Sequence, residues 1–213
     1  MYHLSEVAQY LRLPASTLRE WVEGRAGKSP APGIINRPDS RDPRLSFNNL
    51  VEAHVLRALR HEHKIPLQHV RKALESAQAE FGVQRLLIDK GLHAAPGEMF
   101  LKEYGRLLSL SKLNQLAMEE ILQRFLRRLV RDVDGLPVRL YPFVAPGTPD
   151  DRQVITIDPR LSYGRPSLAS KGVSTAILAD RVNEGESVEE LADYYGLDEQ
   201  DVKEAIIYEG LAA

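Results

Sequence analysis

Pro14 constrains the front of this chain more than any other residue. Proline has no amide hydrogen and a fixed φ, so it fits the first turn of a helix and ends any helix that runs into it. Leu4, Val7, Ala8 and Leu11 recur at helical spacing before it. Leu18, Trp21 and Val22 form one apolar stripe after it. Arg12-Leu13-Pro14 leaves room only for a tight turn, and a second helix is expected from about Ala15 to Glu23, stopped by Gly24. Ser16, Thr17, Arg19 and Glu20 lie off its apolar stripe. A short helix presented after a tight turn can enter a DNA major groove and offer such side chains to base edges.

Residues 25–46 cannot continue as a helix, because Gly27, Pro30, Pro32, Gly33, Pro38 and Pro43 interrupt them. Short β-favouring pieces at Ile34-Ile35 and Leu45–Phe47 suggest a hairpin, with Arg37, Arg41 and Arg44 at a basic tip suited to phosphates. Asn48 reads as the cap of a helix from Asn49 to about His63, and Pro66 opens another that ends near Phe81-Gly82. Farther on, Leu86-Leu87-Ile88 and Leu107–Leu110 could be strands. Residues 112–131 read as a helix with a stripe of Leu113, Leu116, Ile121, Phe125 and Leu129. Val138–Tyr141 alternates like a strand, and Pro142–Asp151 reads as a linker.

The tail begins with a strand at Val154–Ile157. Three helices then follow at 175–184, 188–195 and 199–209, announced by Ser174, Ser187 and Asp198 and punctuated by Gly185 and Gly196. Ser187 and Glu190 have the capping-box spacing. The expected fold is therefore α+β and mainly helical. A winged helix–turn–helix domain covers 1–82, a mixed α/β region 83–146, and a three-helix module with a leading β-strand 153–213.

Net charge is −2 overall but unevenly spread: +3 over 1–80, +3 over 81–149 and −8 over 150–213. A polyanion can approach the front, and the tail should repel it. The chain has no cysteine, which removes disulfides, thiolate metal sites and cysteine nucleophiles. No apolar run approaches the ~20 residues that span a bilayer, so no membrane partner is expected and the location is read as cytoplasmic. His61 and His63 are two apart and would point to different helix faces. His54 and His61 share a face, but no carboxylate completes a metal site. No phosphate loop, nucleophile elbow or dinucleotide fingerprint is present. No enzyme activity, catalytic residue, metal or cofactor is expected.

Leu4-Ser5-Glu6-Val7-Ala8-Gln9-Tyr10-Leu11, followed by Ser16-Thr17-Leu18-Arg19-Glu20-Trp21, resembles the opening of MerR-like winged-helix regulators. Phe47, Leu50, Leu56 and Ile65–Val70 resemble their post-wing helices. That resemblance implies double-stranded operator DNA as a partner and makes Thr17 and Arg19 DNA-contact candidates beside Ser16, Arg37, Arg41 and Arg44. In the tail, Ile155–Pro159, Tyr163–Ser167, Gly172–Ser174 and Gly185–Leu191 resemble family four-three-three of the domains of unknown function. Where that family often has Gly-Thr-Arg, this chain reads Ser170-Lys171-Gly172-Val173-Ser174. A winged helix joined to this domain resembles VapB-type antitoxins. The resemblance implies a PIN-domain ribonuclease toxin as partner, repression of the antitoxin's own operon, and Arg152, Arg160 and Arg165 as toxin-contact candidates. The alternative is a stand-alone MerR-like regulator whose middle region senses a small effector. Operator binding by so short a helix calls for a homodimer, with the Leu113–Leu129 stripe and the Val154–Ile157 strand as candidate surfaces.

Overall fold

Pro14 divides the front of the chain as its chemistry requires. Helix α1 covers Leu4–Tyr10 and α2 covers Ala15–Glu23, with Pro14 as the residue before α2. A computed structural model describes residues 1–26, 30–60, 67–93, 95–107, 112–144 and 152–210. The fold among them is α+β and mainly helical, with a helix–turn–helix at the N-terminus.

Helix α3 spans Phe47–Arg60 and α4 spans Leu67–Phe81. Ser46 caps α3 in place of the expected Asn48. Asn49 N donates to Ser46 Oγ at 3.2 Å, and Ser46 N donates to Asn49 Oδ1 at 3.0 Å. This reciprocal pair satisfies two amides that a helix start would otherwise leave open. The expected end of α3 at His63 lies outside the described residues.

The middle region departs most from expectation. Leu86-Leu87-Ile88 form a buried turn, not a strand, and lead into a 3-10 turn at Lys90–His93. A helix the apolar pattern did not announce, α5, covers Ala95–Leu107, so Leu107 ends a helix; Leu108–Leu110 lie outside the described residues. Helix α6 covers Lys112–Leu126 and stops short of the expected residue 131. The chain instead turns into strand β1, Leu129–Arg131, which pairs antiparallel with β2, Pro137–Leu140. The Asp132 carboxylate stabilises the connecting turn by accepting from Asp134 N at 3.0 Å and Leu136 N at 2.8 Å. The stripe that α6 buries is Met118, Leu122, Phe125 and Leu126, whereas Leu116 is 55% exposed. Of the expected dimer stripe, Phe125 is buried, Ile121 and Leu129 are partly buried, and Leu116 faces solvent.

In the tail, β3 (Ile155–Thr156) pairs antiparallel with β4 (Ser167–Leu168). Helices α7 (Thr175–Asn183), α8 (Val188–Tyr195) and α9 (Glu199–Gly210) follow. The capping box forms as the spacing predicts. Ser187 N donates to Glu190 Oε2 at 2.8 Å, and Glu190 N donates to Ser187 Oγ at 3.1 Å. The Val154–Ile157 strand offers no open dimer surface. Its β3 residues pair with β4, while Ile157 and Leu140 exchange backbone hydrogen bonds of 2.8 and 3.0 Å.

One hydrophobic core runs from Tyr2 through α1–α6 to Leu140, Phe143 and Ile157. A second gathers Val144, Ile155, Leu168, Leu178, Leu191, Val202 and Tyr208. Phe143 and Val144 sit at the start of the segment expected to be a linker, yet each is buried in one of the cores. The rest of that segment, from 145 to 151, lies outside the described residues. No helix among the described residues is long and apolar enough to cross a membrane.

His54 sits in the first core packed against the Phe125 and Phe143 rings, with Nε2 3.1 Å from the Phe125 carbonyl. Burial pushes its pKa from 6.5 down to about 3, so the ring is neutral in the fold. It is a core residue, packed on aromatic rings and hydrogen-bonded to a backbone carbonyl. The unfolded chain takes up a proton at His54 below pH 6.5 and the native state does not. Stability is therefore complete above pH 6.5 and falls as the pH drops from 6.5 toward 3. Denaturant titrations of His54→Leu should be nearly flat between pH 6.5 and about 5, where the wild type already loses stability.

Candidate nucleic-acid interface

The candidate recognition helix is α2. Leu18, Trp21 and Val22 are buried against the first core, while Ser16 and Arg19 are exposed and Thr17 is half-buried. Thr17 N and Leu18 N close the first turn on the Pro14 carbonyl, at 2.9 and 3.2 Å. Arg19 lies 3.9 Å from Glu23 one turn later, a loose surface pair that a phosphate or base edge can displace.

The turn before α2 is held from three places. Arg12 adopts a left-handed φ of 51°, which a non-glycine residue accepts only when its surroundings fix it. Arg57 on α3 donates to the Leu11 carbonyl at 2.8 Å. From α9, Tyr208 donates its hydroxyl to the Tyr10 carbonyl at 2.8 Å, and Arg12 donates to the Tyr208 carbonyl at 3.1 Å. The Arg12 guanidinium also lies 5.0 Å from the centre of the Tyr208 ring. Burial raises the Tyr208 pKa far above its ordinary value, so the hydroxyl stays a donor. These clamps were not legible in the helical periodicity, because their partners are remote in sequence. The one available signal was an aromatic at position 208 on the buried stripe of the last helix.

The expected wing hairpin does not form. Among the described residues of 25–46 only isolated bridges occur, Arg25 with Ala31 and Leu45 with Tyr2. Ile34 N and Ile35 N instead donate to the Trp21 carbonyl at 2.7 and 2.9 Å, docking the segment onto the end of α2. Gly33 permits this approach, since a Cβ there would sit 2.2 Å from the Val22 oxygen. Pro30, Pro32, Pro38 and Pro43 lack the amides that a ladder needs.

The basic tip is also less basic than its composition implies. Asp39 lies 3.4 Å from Arg41, and Asp42 holds Arg44 at 2.8 Å. Hydrogen bonds from Arg44 pull the Asp42 pKa to about 2. Arg41 and Arg44 nevertheless remain exposed, and Arg37 is half-buried.

The tail arginines differ from one another. Arg152 is engaged inside the tail, 2.8 Å from Glu204 and 3.6 Å from Asp201. Arg160 is two-thirds exposed but is aimed by the buried Asp158 carboxylate at 2.8 Å. Arg165 is exposed.

Residues 1–74 match the family described as "Putative DNA-binding HTH domain", and residues 155–208 match "Protein of unknown function (DUF433)". Two relatives from Mycobacterium tuberculosis (strain ATCC 25618 / H37Rv) align over nearly the whole chain. "Uncharacterized protein Rv2308" is 29% identical, covering 98% of this chain and 89% of its own. "Putative antitoxin VapB45" is 25% identical, covering 97% and 92%. The crystal structure of Rv2018 from Mycobacterium tuberculosis shares the fold, with a TM-score of 0.72, 24% identity and 96% of each chain covered.

Two outcomes follow for the helix–turn–helix. Arg19→Ala and Thr17→Ala should weaken binding to the cognate DNA by about 1–3 kcal/mol for a base-contacting side chain, with unchanged thermal unfolding, in a fluorescence anisotropy titration. Tyr208→Phe leaves the Tyr10 carbonyl buried without its donor and should lower unfolding free energy by about 1–3 kcal/mol in urea.

Proposed function

We propose that the chain is a homodimeric, DNA-binding antitoxin that represses its own operon and neutralises a PIN-domain ribonuclease encoded beside it. The observation that carries this reading is the alignment, over 97% of this chain, with the relative named "Putative antitoxin VapB45"; it spans both the helix–turn–helix match and the tail match of this chain. The division of charge supports it. Residues 1–80 carry a net +3, and the −8 tail suits a protein partner better than a nucleic acid. In this reading Ser16, Thr17 and Arg19 meet base edges, Arg37, Arg41 and Arg44 meet phosphates, and the tail meets the toxin. Arg152 is the weakest toxin-contact candidate, because its charge is already matched by Asp201 and Glu204.

A second reading rests on a cavity of about 310 Å³ between α4 and the 32–36 segment, lined by Ile34, Glu52, Arg71, Leu74, Gln78 and Arg85. Glu52 is buried there and paired with Arg85 at 2.7 Å. A pocket that touches the segment docked on α2 suits a stand-alone regulator whose effector shifts the recognition helix.

Co-expression separates the two. The chain should restore growth to cells expressing the neighbouring PIN-domain reading frame, co-purify with its product, and abolish RNA cleavage in vitro. Absence of such a frame, or ribonuclease activity undiminished by an excess of the chain, would leave the regulator reading in its place.

A further inference from the structure

The charges of the acidic tail are segregated. The eleven carboxylates from Asp180 to Glu209 all lie on α7–α9 and their flanks. Three of the tail's cations are matched by such groups: Arg152 by Asp201 and Glu204, Arg181 by Glu186, and Lys203 by Glu199. The other three, Arg160, Arg165 and Lys171, fall within the stretch between β3 and α7, where Asp158 is the one carboxylate. Arg139 on β2 joins this corner by pairing with Asp158 at 3.1 Å. At this corner Arg139, Arg160, Arg165 and Lys171 stand against the buried Asp158, while Glu209 reaches its edge by accepting from Thr175 Oγ1 and Glu6 lies near Tyr2, so the excess of positive charge is small and rests on Arg165 and Lys171.

The backbone there is built to present a side chain. Ser162, Tyr163 and Gly164 take successive left-handed φ values of 45°, 55° and 78°. Two adjacent non-glycine residues in that region are costly, and such strain persists only where surrounding structure enforces it. Ser162 Oγ donates to the Gly172 carbonyl at 2.9 Å, closing the loop beside Lys171. Gly164 is pressed on Tyr2, whose hydroxyl would lie 2.2 Å from any Cβ at that position. The result is that Tyr163 stands 97% exposed between Arg160 and Arg165.

Tyr2 also fixes where this corner lies. Its backbone exchanges two 2.8 Å hydrogen bonds with Leu45, next to Arg44. The Arg160–Lys171 corner and the Arg37–Arg44 segment therefore flank one residue at the root of α1. We propose that this corner is a second DNA-backbone contact, in which Arg165, Lys171 and Arg160 meet phosphates and the Tyr163 hydroxyl donates to one. It rests on the DNA-binding reading above and revises the expectation that the acidic tail stays clear of DNA. An acidic protein surface is the competing occupant. Continuity with the Arg44 segment favours the nucleic acid, because arginine, lysine and tyrosine are ordinary phosphate-contacting residues.

The test uses the full chain with two probes, a duplex from upstream of its own coding sequence and a mixed-sequence duplex of equal length. Arg165→Ala and Lys171→Ala should each weaken both duplexes severalfold at low salt. Each should also reduce the slope of log affinity against log salt by about 1. Tyr163→Gly removes the hydroxyl while relieving the left-handed strain. It should weaken both duplexes while unfolding no earlier than wild type, which a merely structural role does not predict. Unchanged affinity and slope in all three variants, with Arg19→Ala still impaired, overturns the proposal and leaves the recognition helix intact. If Arg19→Ala is also silent, the DNA-binding reading itself fails. If the three variants keep DNA and instead release a co-purifying ribonuclease, the corner is a protein-docking site and the proposal is wrong.

Discussion

The Tyr10 and Leu11 carbonyls are the point on which the rest of the structure turns. Helix α1 ends there, and a helix end leaves carbonyls with no intrahelical partner. Because Pro14 forces the chain to turn within three residues, these groups cannot be satisfied by continuing the helix. Their partners come from 46 and 198 residues away, as Arg57 on α3 and Tyr208 on α9. Burial lowers the pKa of both Arg12 and Arg57 by disfavouring their charge, a cost offset by the hydrogen bonds each donates. The angle at which α2 leaves the turn is thereby set by the first core on one side and by the tail on the other.

What was legible in the sequence follows from how local each determinant is. Helix α2, Ala15–Glu23, and helix α8, Val188–Tyr195, begin and end where proline, Ser187, Gly24 and Gly196 place them, because caps and breakers act within a few residues. The segment after α2 is not legible in the same way, because its proline content excludes a helix without specifying what replaces it. The replacement, docking of Ile34 and Ile35 on the Trp21 carbonyl, is set by tertiary approach and by the missing side chain of Gly33. The end of α6 failed for a related reason. Phe125 and Leu129 keep helical spacing, but Arg128 swings its guanidinium to the Tyr141, Pro142 and Arg152 carbonyls, and the chain leaves as a strand.

The candidate site was legible to the same extent. Thr17 and Arg19 could be chosen because the apolar stripe of α2 leaves them off the buried face, which is a one-helix argument. The neutralisation of Arg41 and Arg44 by Asp39 and Asp42 was open to inspection in the sequence, since each pair is two residues apart. Tyr163 was hidden, because only the left-handed turn shows that a tyrosine otherwise suited to a core stands in solvent. Counting charge by segment gave −8 for the tail, yet that sum conceals a division between the cations of 160–171 and the carboxylates from Asp180 onward that a finer count shows.

Two stretches that match different families thus share one set of backbone partners. The Tyr10 carbonyl of the 1–74 stretch accepts its hydrogen bond from a hydroxyl of the 155–208 stretch. Tyr2 makes the reciprocal contact, filling the space that Gly164 leaves for it. Leu140 and Ile157 add a third junction through paired backbone groups. The last helix of the tail module thus carries the side chain that grips the turn before α2. Loss of the Tyr208 bond would leave a buried carbonyl unpaired, at a cost of about 1–3 kcal/mol, so the turn before α2 depends on where α9 sits.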